Sequence, residues 1–181
     1  MLGLALFGVG ISLIIEARIG VPPWDVFHQG VASRVDRSIG TVIIATGAAL
    51  MLLWIPLRQM PGVGTVLNAI EIGLVADVAI GVLPQPESPF VQVPMMLSGV
   101  VVVALGSGLY IGSGLGPGPR DGLMTGLAAR GIPLRVARTG IEVTVLVVGW
   151  LLGGQVGVGT VVFALGIGPL VQVLLPRLSM K

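Results

Sequence analysis

The sequence predicts an all-α, polytopic membrane protein. It has six transmembrane spans in two inverted three-span repeats, each carrying a short re-entrant or interfacial helix behind a Gly/Pro break. Three observations predict this. Hydrophobic residues make up 54% of the 181 positions and charged residues 10%, against ~25% charged in a soluble domain. The chain also repeats itself: Gly20-Val-Pro-Pro-Trp-Asp25 returns as Gly116-Pro-Gly-Pro-Arg-Asp121, 96 positions later. Finally, both halves are interrupted by Gly and Pro at this same place, the pattern of pseudo-symmetric membrane proteins whose site lies at the break.

The repeat extends well beyond the break. Gly10, Leu13 and Ile15 match Gly106, Leu109 and Ile111, and Gly30, Ala32 and Arg34 match Gly126, Ala128 and Arg130. Trp54 matches Trp150. After one deleted residue the offset is 95, and Gly62-Val-Gly-Thr-Val66 matches Gly157-Val-Gly-Thr-Val161.

In chain order, the first repeat occupies residues 1–84. Its spans are Leu2–Ile19, Gly40–Leu57 and Gly62–Leu83, with a short helix over 24–35. That helix places Trp24, Phe27, Val31 and Val35 at helical spacing. A Pro-rich linker covers 85–92, within the polar string Pro84-Gln-Pro-Glu-Ser-Pro89, whose prolines oppose a helix. The second repeat, 93–181, holds spans Val93–Ser113, Val136–Leu152 and Val156–Leu175 and a short helix over 120–130. A span needs ~20 mostly apolar residues, with ~17 as the lower limit. The first, second and fifth spans lie near that limit. The short helices, at ~1.5 Å per residue, cannot cross. They lie at the interface or enter part-way, where protein or a wet cavity covers the backbone.

Three spans per half force the second half to insert upside down. With the amino terminus inside, Arg58, Arg120, Arg130, Arg135, Arg138, Arg177 and Lys181 face the cytoplasm, against Arg18, Arg34 and Arg37 outside. That bias favours both termini inside. The start, Met1-Leu-Gly-Leu-Ala-Leu, has no basic region of the kind that opens a cleavable signal. A first span clipped at its amino end is the expectation.

Composition also excludes several classes. The absence of cysteine removes disulfides, thiolate nucleophiles and Cys metal sites. The net charge of +2 belongs to loop residues that set topology, so no nucleic-acid partner is expected. His28 is the single histidine and cannot build a metal site alone. Asp25 lies three residues before it, within reach of a hydrogen bond, although a snorkelling interfacial histidine is the expectation. The string Gly114-Leu-Gly-Pro-Gly-Pro119 is no phosphate loop, because two prolines remove N–H donors and no Gly-Lys-Ser/Thr follows. No cofactor and no metal are expected.

The paired break carries the candidate chemistry. Pro23 and Pro119 suit the first helical position, which puts Asp25 and Asp121 at the third. There a carboxylate complements free N–H groups and the positive helix end, a purely structural role. The functional reading is a substrate site of Gly118, Pro119, Arg120 and Asp121, opposed by Pro22, Pro23, Trp24 and Asp25. Arg120 has Trp24 as its counterpart, so the halves differ there. That asymmetry suits one anionic or zwitterionic ligand.

Glu71 lies in the third span with Asn68 one turn before it, and Asp77 follows on another face. Intramembrane acids are costly, so Glu71 reads either as a coupling residue or as a carboxylate joining helices. Glu142 follows Arg138 by four residues, the spacing of a local salt bridge near a membrane edge. Tyr110, Trp54 and Trp150 fit helix ends in the headgroup belt. Gly108, Gly112 and Gly116, with Gly149, Gly153 and Gly157, form small-residue seams for close helix packing.

The Gly20–Gly30 segment, Gly-Pro-Gly-Pro-Arg-Asp-Gly-Leu-Met-Thr-Gly at Gly116–Gly126, and the twin Gly-Val-Gly-Thr-Val segments together resemble the YczE/YyaS/YitT family of bacterial integral membrane proteins. The resemblance covers nearly the whole chain and implies a bacterial inner-membrane location. It carries over no substrate and no catalytic residue.

Inverted repeats, matching discontinuous helices and an intramembrane acid favour a small transporter or permease, with Glu71 binding a proton or cation. Six spans are few for a complete pathway, so a homodimer in the bilayer is plausible. The alternative is a non-transporting accessory or scaffold protein. A lipid-directed enzyme would need a clustered acid, base and nucleophile, and the candidates are scattered.

Overall fold

The structure, a computed structural model, describes residues 1–178. Lys181, counted above among the cytoplasmic charges, lies outside the described residues. Among the described residues eight helices follow one another: α1 (Leu2–Glu16), α2 (Pro23–Val35), α3 (Ile39–Leu57), α4 (Val63–Val82), α5 (Pro89–Gly112), α6 (Pro119–Ala128), α7 (Leu134–Leu151) and α8 (Val158–Leu178). The order long, short, long, long occurs twice.

Local chemistry sets the boundaries. α1 stops at Glu16, short of the expected Ile19, because Arg18 and Gly20 take positive φ of 57° and 112°. Gly116, the counterpart of Gly20, has φ 118°, so both breaks use glycine where a side chain would be strained. Pro23 and Pro119 open α2 and α6 at a position where a missing N–H costs nothing. The same tolerance lets Pro89 open α5 four residues before the expected Val93, which shortens the linker.

Among the described residues, four helices are long and apolar enough to cross a membrane: α3, α4, α5 and α8. This corrects the expectation that six segments meet that standard by themselves. α1 has only 15 residues, and α7 carries Arg135, Arg138 and Glu142. The outer surface is apolar, with Leu52, Ile55, Val78, Phe90 and Leu165 exposed, as lipid contact requires.

α1 and α5 form the centre and run antiparallel, Gly3 against Gly106 and Gly10 against Gly99. α4 flanks α1 as α8 flanks α5, and α2 packs on α7 as α6 packs on α3. The core gathers Ile11, Ile14, Ile72, Val100 and Val103. Burying such a side chain contributes roughly 1.5–3 kcal/mol relative to water. In lipid the close glycine contacts matter more, because they let helix backbones touch.

One pair of seams breaks the correspondence. α3 and α4 pack closely, Gly40 against Gly73 and Gly47 against Ala69. The Asp77 carboxylate seals this seam by accepting from Ser38 Oγ at 2.6 Å and Gly40 N–H at 2.7 Å. The equivalent helices α7 and α8 stand apart. There the counterparts of Gly40 and Gly47 are Val136 and Val143, and those of Ser38 and Asp77 are Leu134 and Gln172. The bulk blocks close approach, and the clamp has neither its hydroxyl donor nor its carboxylate.

Candidate functional site

Each repeat holds the break of the other. The Gly-Val-Gly-Thr turn before α4 donates Gly64 N–H to the Leu115 carbonyl at 2.9 Å. Its counterpart before α8 donates Gly159 N–H to the Ile19 carbonyl at 2.8 Å. Thr65 and Thr160 brace these turns from within, accepting from Gly62 N–H at 3.1 Å and Gly157 N–H at 3.2 Å. A side chain at Gly64 or Gly159 would run into the docked loop. Arg34 and Arg130 reciprocate in the same way, Arg34 donating to the Leu152 carbonyl and Arg130 to the Pro56 carbonyl at the ends of α7 and α3. These bonds satisfy last-turn or following carbonyls that a helix leaves unpaired.

The breaks so held meet in the middle. The amino ends of α2 and α6 face one cavity of about 370 Å³. The Arg120 guanidinium lies 5.0 Å from the centre of the Trp24 ring, in cation–π contact. The two counterpart residues of the repeats therefore touch each other.

Asp25 Oδ1 is 3.0 Å from His28 Nδ1, and both residues are 1% exposed. The Tyr110 hydroxyl donates to Asp121 Oδ2 at 2.7 Å. Arg138 donates to Glu142 Oε1 at 3.0 Å, and both line the side of the cavity toward α8. Asn68, Ser107 and Gln172 add neutral polar groups. Asp25 Oδ2 and Trp24 Nε1 are buried without a partner. The remaining wall is apolar, including Phe7, Ile11, Leu50, Ile72, Val103 and Phe163.

The sequence profile described as "Family of unknown function (DUF6198)" matches residues 1–176. The chain belongs to this family. An "Uncharacterized protein" of Haemophilus influenzae is 39% identical over 173 residues, covering 95% of this chain and 79% of the relative. The "Uncharacterized membrane protein YczE" of Bacillus subtilis is 33% identical over 178 residues, covering 97% and 83%. The "Uncharacterized protein YyaS" of the same organism is 24% identical over 182 residues, covering 97% and 90%. These matches place the chain in the YczE/YyaS family of membrane proteins, and with its apolar helices it is a multi-pass membrane protein. No solved structure matches it.

In this DUF6198 chain, all eight residues of the expected paired site line the cavity: Pro22, Pro23, Trp24, Asp25, Gly118, Pro119, Arg120 and Asp121. Asn68, Arg138 and Glu142 join them. Glu71 and Asp77 are not part of the cavity wall. Asp77 clamps the start of α3, and Glu71 Oε2 is buried without a partner elsewhere on α4.

Three aromatic or basic residues lie deeper than expected. His28 is buried against Asp25 rather than snorkelling. Trp54, 1% exposed, donates Nε1–H to the Pro119 carbonyl at 3.0 Å and so positions α6, while Trp150 is 62% exposed. Tyr110 turns to the cavity instead of the headgroup belt. Sequence reasoning set Trp54 at a helix end and missed its bond to α6.

Proposed function

We propose that the protein is a small transporter that moves an anionic or zwitterionic solute by alternating access. The observation that carries this reading is the unequal pair of seams around one cavity. α3 and α4 close it on one side, whereas the equivalent α7 and α8 stand open on the other. In a two-repeat transporter, one gate shut and its counterpart open is the arrangement of a single end state. Exchange of the two arrangements yields the opposite state. Arg120 and the amino end of α6 would hold the solute's anionic group, with Trp24 and Asp25 opposite. Glu71 lies off the cavity, so a proton or cation taken up there would act through α4 rather than on the solute.

The topology belongs to the same proposal. The equivalent helices α1 and α5 run antiparallel, which supports inverted repeats. α1 and α7 count as spans because their counterparts α5 and α3 are long enough. With both termini cytoplasmic, the open seam near Arg138 faces inward and the Asp77 clamp outward.

A non-transporting accessory protein is the second reading. The Asp77 clamp favours it, because a latch present in one half suits a fixed cleft. Single cysteines in this cysteine-free chain separate the two. Ser33→Cys and Ala129→Cys should react with a membrane-impermeant thiol reagent from opposite faces. Ser107→Cys, in the cavity wall, should react from both faces in one population. Reaction from one face only, under every condition, removes alternating access and leaves the fixed cleft.

A further inference from the structure

We infer that the cavity takes an organic monocarboxylate with an apolar body. The inference rests on the transport reading only in treating the cavity as a solute site. It follows from which polar side chains in the wall already hold a partner. Asp25 is bonded to His28, Asp121 accepts from Tyr110, and Glu142 holds Arg138. The second oxygen of Asp25 has almost no accessible surface, so a solute's ammonium group would have to displace packed side chains to bond it.

Arg120 differs from all of these. Among the described residues its guanidinium has no hydrogen bond and no ion pair, only the face of the Trp24 ring. Five N–H donors in a fixed fork are thereby left open, a geometry that matches a carboxylate with two parallel bonds. The amino end of α6 adds partial positive charge at the same point. The other cation of the wall, Arg138, already holds Glu142 through Nε, so a second anionic group would have to compete with that carboxylate.

The rest of the solute must match the rest of the wall. Phe7, Trp24, Leu50, Val103, Met124 and Phe163 present apolar and ring surface. A second, apolar cleft of about 440 Å³ lies beside the first and shares Trp24, Thr46 and Leu50 with it. Pockets for small organic ligands run from about 300 to 1,000 Å³, and this cavity lies at the small end.

Purified protein in detergent tests this with four probes: phenylacetate, phenylalanine, phenethylamine and inorganic phosphate. Binding is read by thermal stabilisation and tryptophan fluorescence. Phenylacetate is expected to bind at least about tenfold more tightly than the other three: phenethylamine lacks the carboxylate, phosphate lacks the apolar body, and phenylalanine must desolvate an ammonium group without a partner. Arg120→Gln should weaken phenylacetate by about tenfold or more, and Arg120→Lys should restore part of the loss. Equal or tighter binding of phenylalanine or phenethylamine overturns the inference. So does unchanged phenylacetate binding in Arg120→Gln, or the failure of every probe to bind. Proteoliposome uptake separates this from the transport reading. Bound but untransported phenylacetate keeps the carboxylate site and removes transport. Two-sided labelling at Ser107→Cys without phenylacetate binding keeps transport and removes the carboxylate.

Discussion

Asp77→Ala addresses the closed seam directly. The carboxylate accepts two bonds, 2.6 Å from Ser38 Oγ and 2.7 Å from Gly40 N. A hydrogen bond to a charged group contributes about 1.5–3 kcal/mol. The Ser38 bond is exposed and the Gly40 bond part-buried, so both belong near the low end. Their joint loss is then about 2–3 kcal/mol, most of it released only when α3 leaves α4. At about 1.4 kcal/mol per tenfold, the open population of this seam rises about 30- to 150-fold. Asp77→Asn keeps an acceptor for Gly40 and loses the charge, so its effect is about fivefold. The assay is the rate at which Ser107→Cys reacts with an impermeant thiol reagent applied from the face that carries Asp77. An unchanged rate in Asp77→Ala, with a lowered melting temperature, refutes the reasoning and reduces Asp77 to a cap on α3.

Other residues give sharper contrasts between the halves. Thr65→Val loses both the bond to the Pro117 carbonyl and the one from Gly62, whereas Thr160→Val loses only the turn bond from Gly157. Thermal unfolding in detergent should show the Thr65 change costing about 1–3 kcal/mol and the Thr160 change about half as much. Gly122→Ala drives a methyl group into the Trp54 indole, while Gly140→Ala meets nothing within 4 Å. The first should abolish folded yield on size-exclusion chromatography and the second should leave it intact. Arg34→Gln and Arg130→Gln each remove one cap on a carbonyl of the other repeat at an exposed position. Both should lower stability by at most about 1 kcal/mol, and by similar amounts.

The paired break was legible in the sequence because duplication prints residue identities. Gly20 and Gly116, Pro23 and Pro119, and Asp25 and Asp121 align without gaps, and all but the glycine at 20 and 116 line the cavity. Helix ends were read less well. Arg18 in a left-handed conformation ends α1 early, and no composition rule marks an arginine for that role. The twin Gly-Val-Gly-Thr turns were visible as strings, but their docking partners lie in the opposite repeat. No local pattern names a carbonyl acceptor 51 positions away, as Leu115 is from Gly64. His28, Trp54 and Tyr110 were placed at the surface by residue-type preference. Hydrogen bonds overrode that preference, from elsewhere in the chain for Trp54 and Tyr110 and within α2 for His28, as they do for buried polar tips. The open seam follows from glycine-to-valine differences between the repeats, information present in the alignment of the two halves but meaningful only once α3 and α4 are known to touch.

The reciprocal docking of breaks and turns has a consequence for how such a chain arises and assembles. Neither half can satisfy its own loop carbonyls, since Ile19 needs Gly159 and Leu115 needs Gly64. A newly made first half therefore waits, incomplete, until the second is inserted beside it. On the proposed topology, a half-length ancestor placed in the bilayer in both orientations would form these bonds between two separate copies. Fusion through the segment before Pro89 would then join partners that already depended on each other. Cutting the chain at Glu87 and coexpressing the pieces should return a folded pair, and expressing either piece alone should return none.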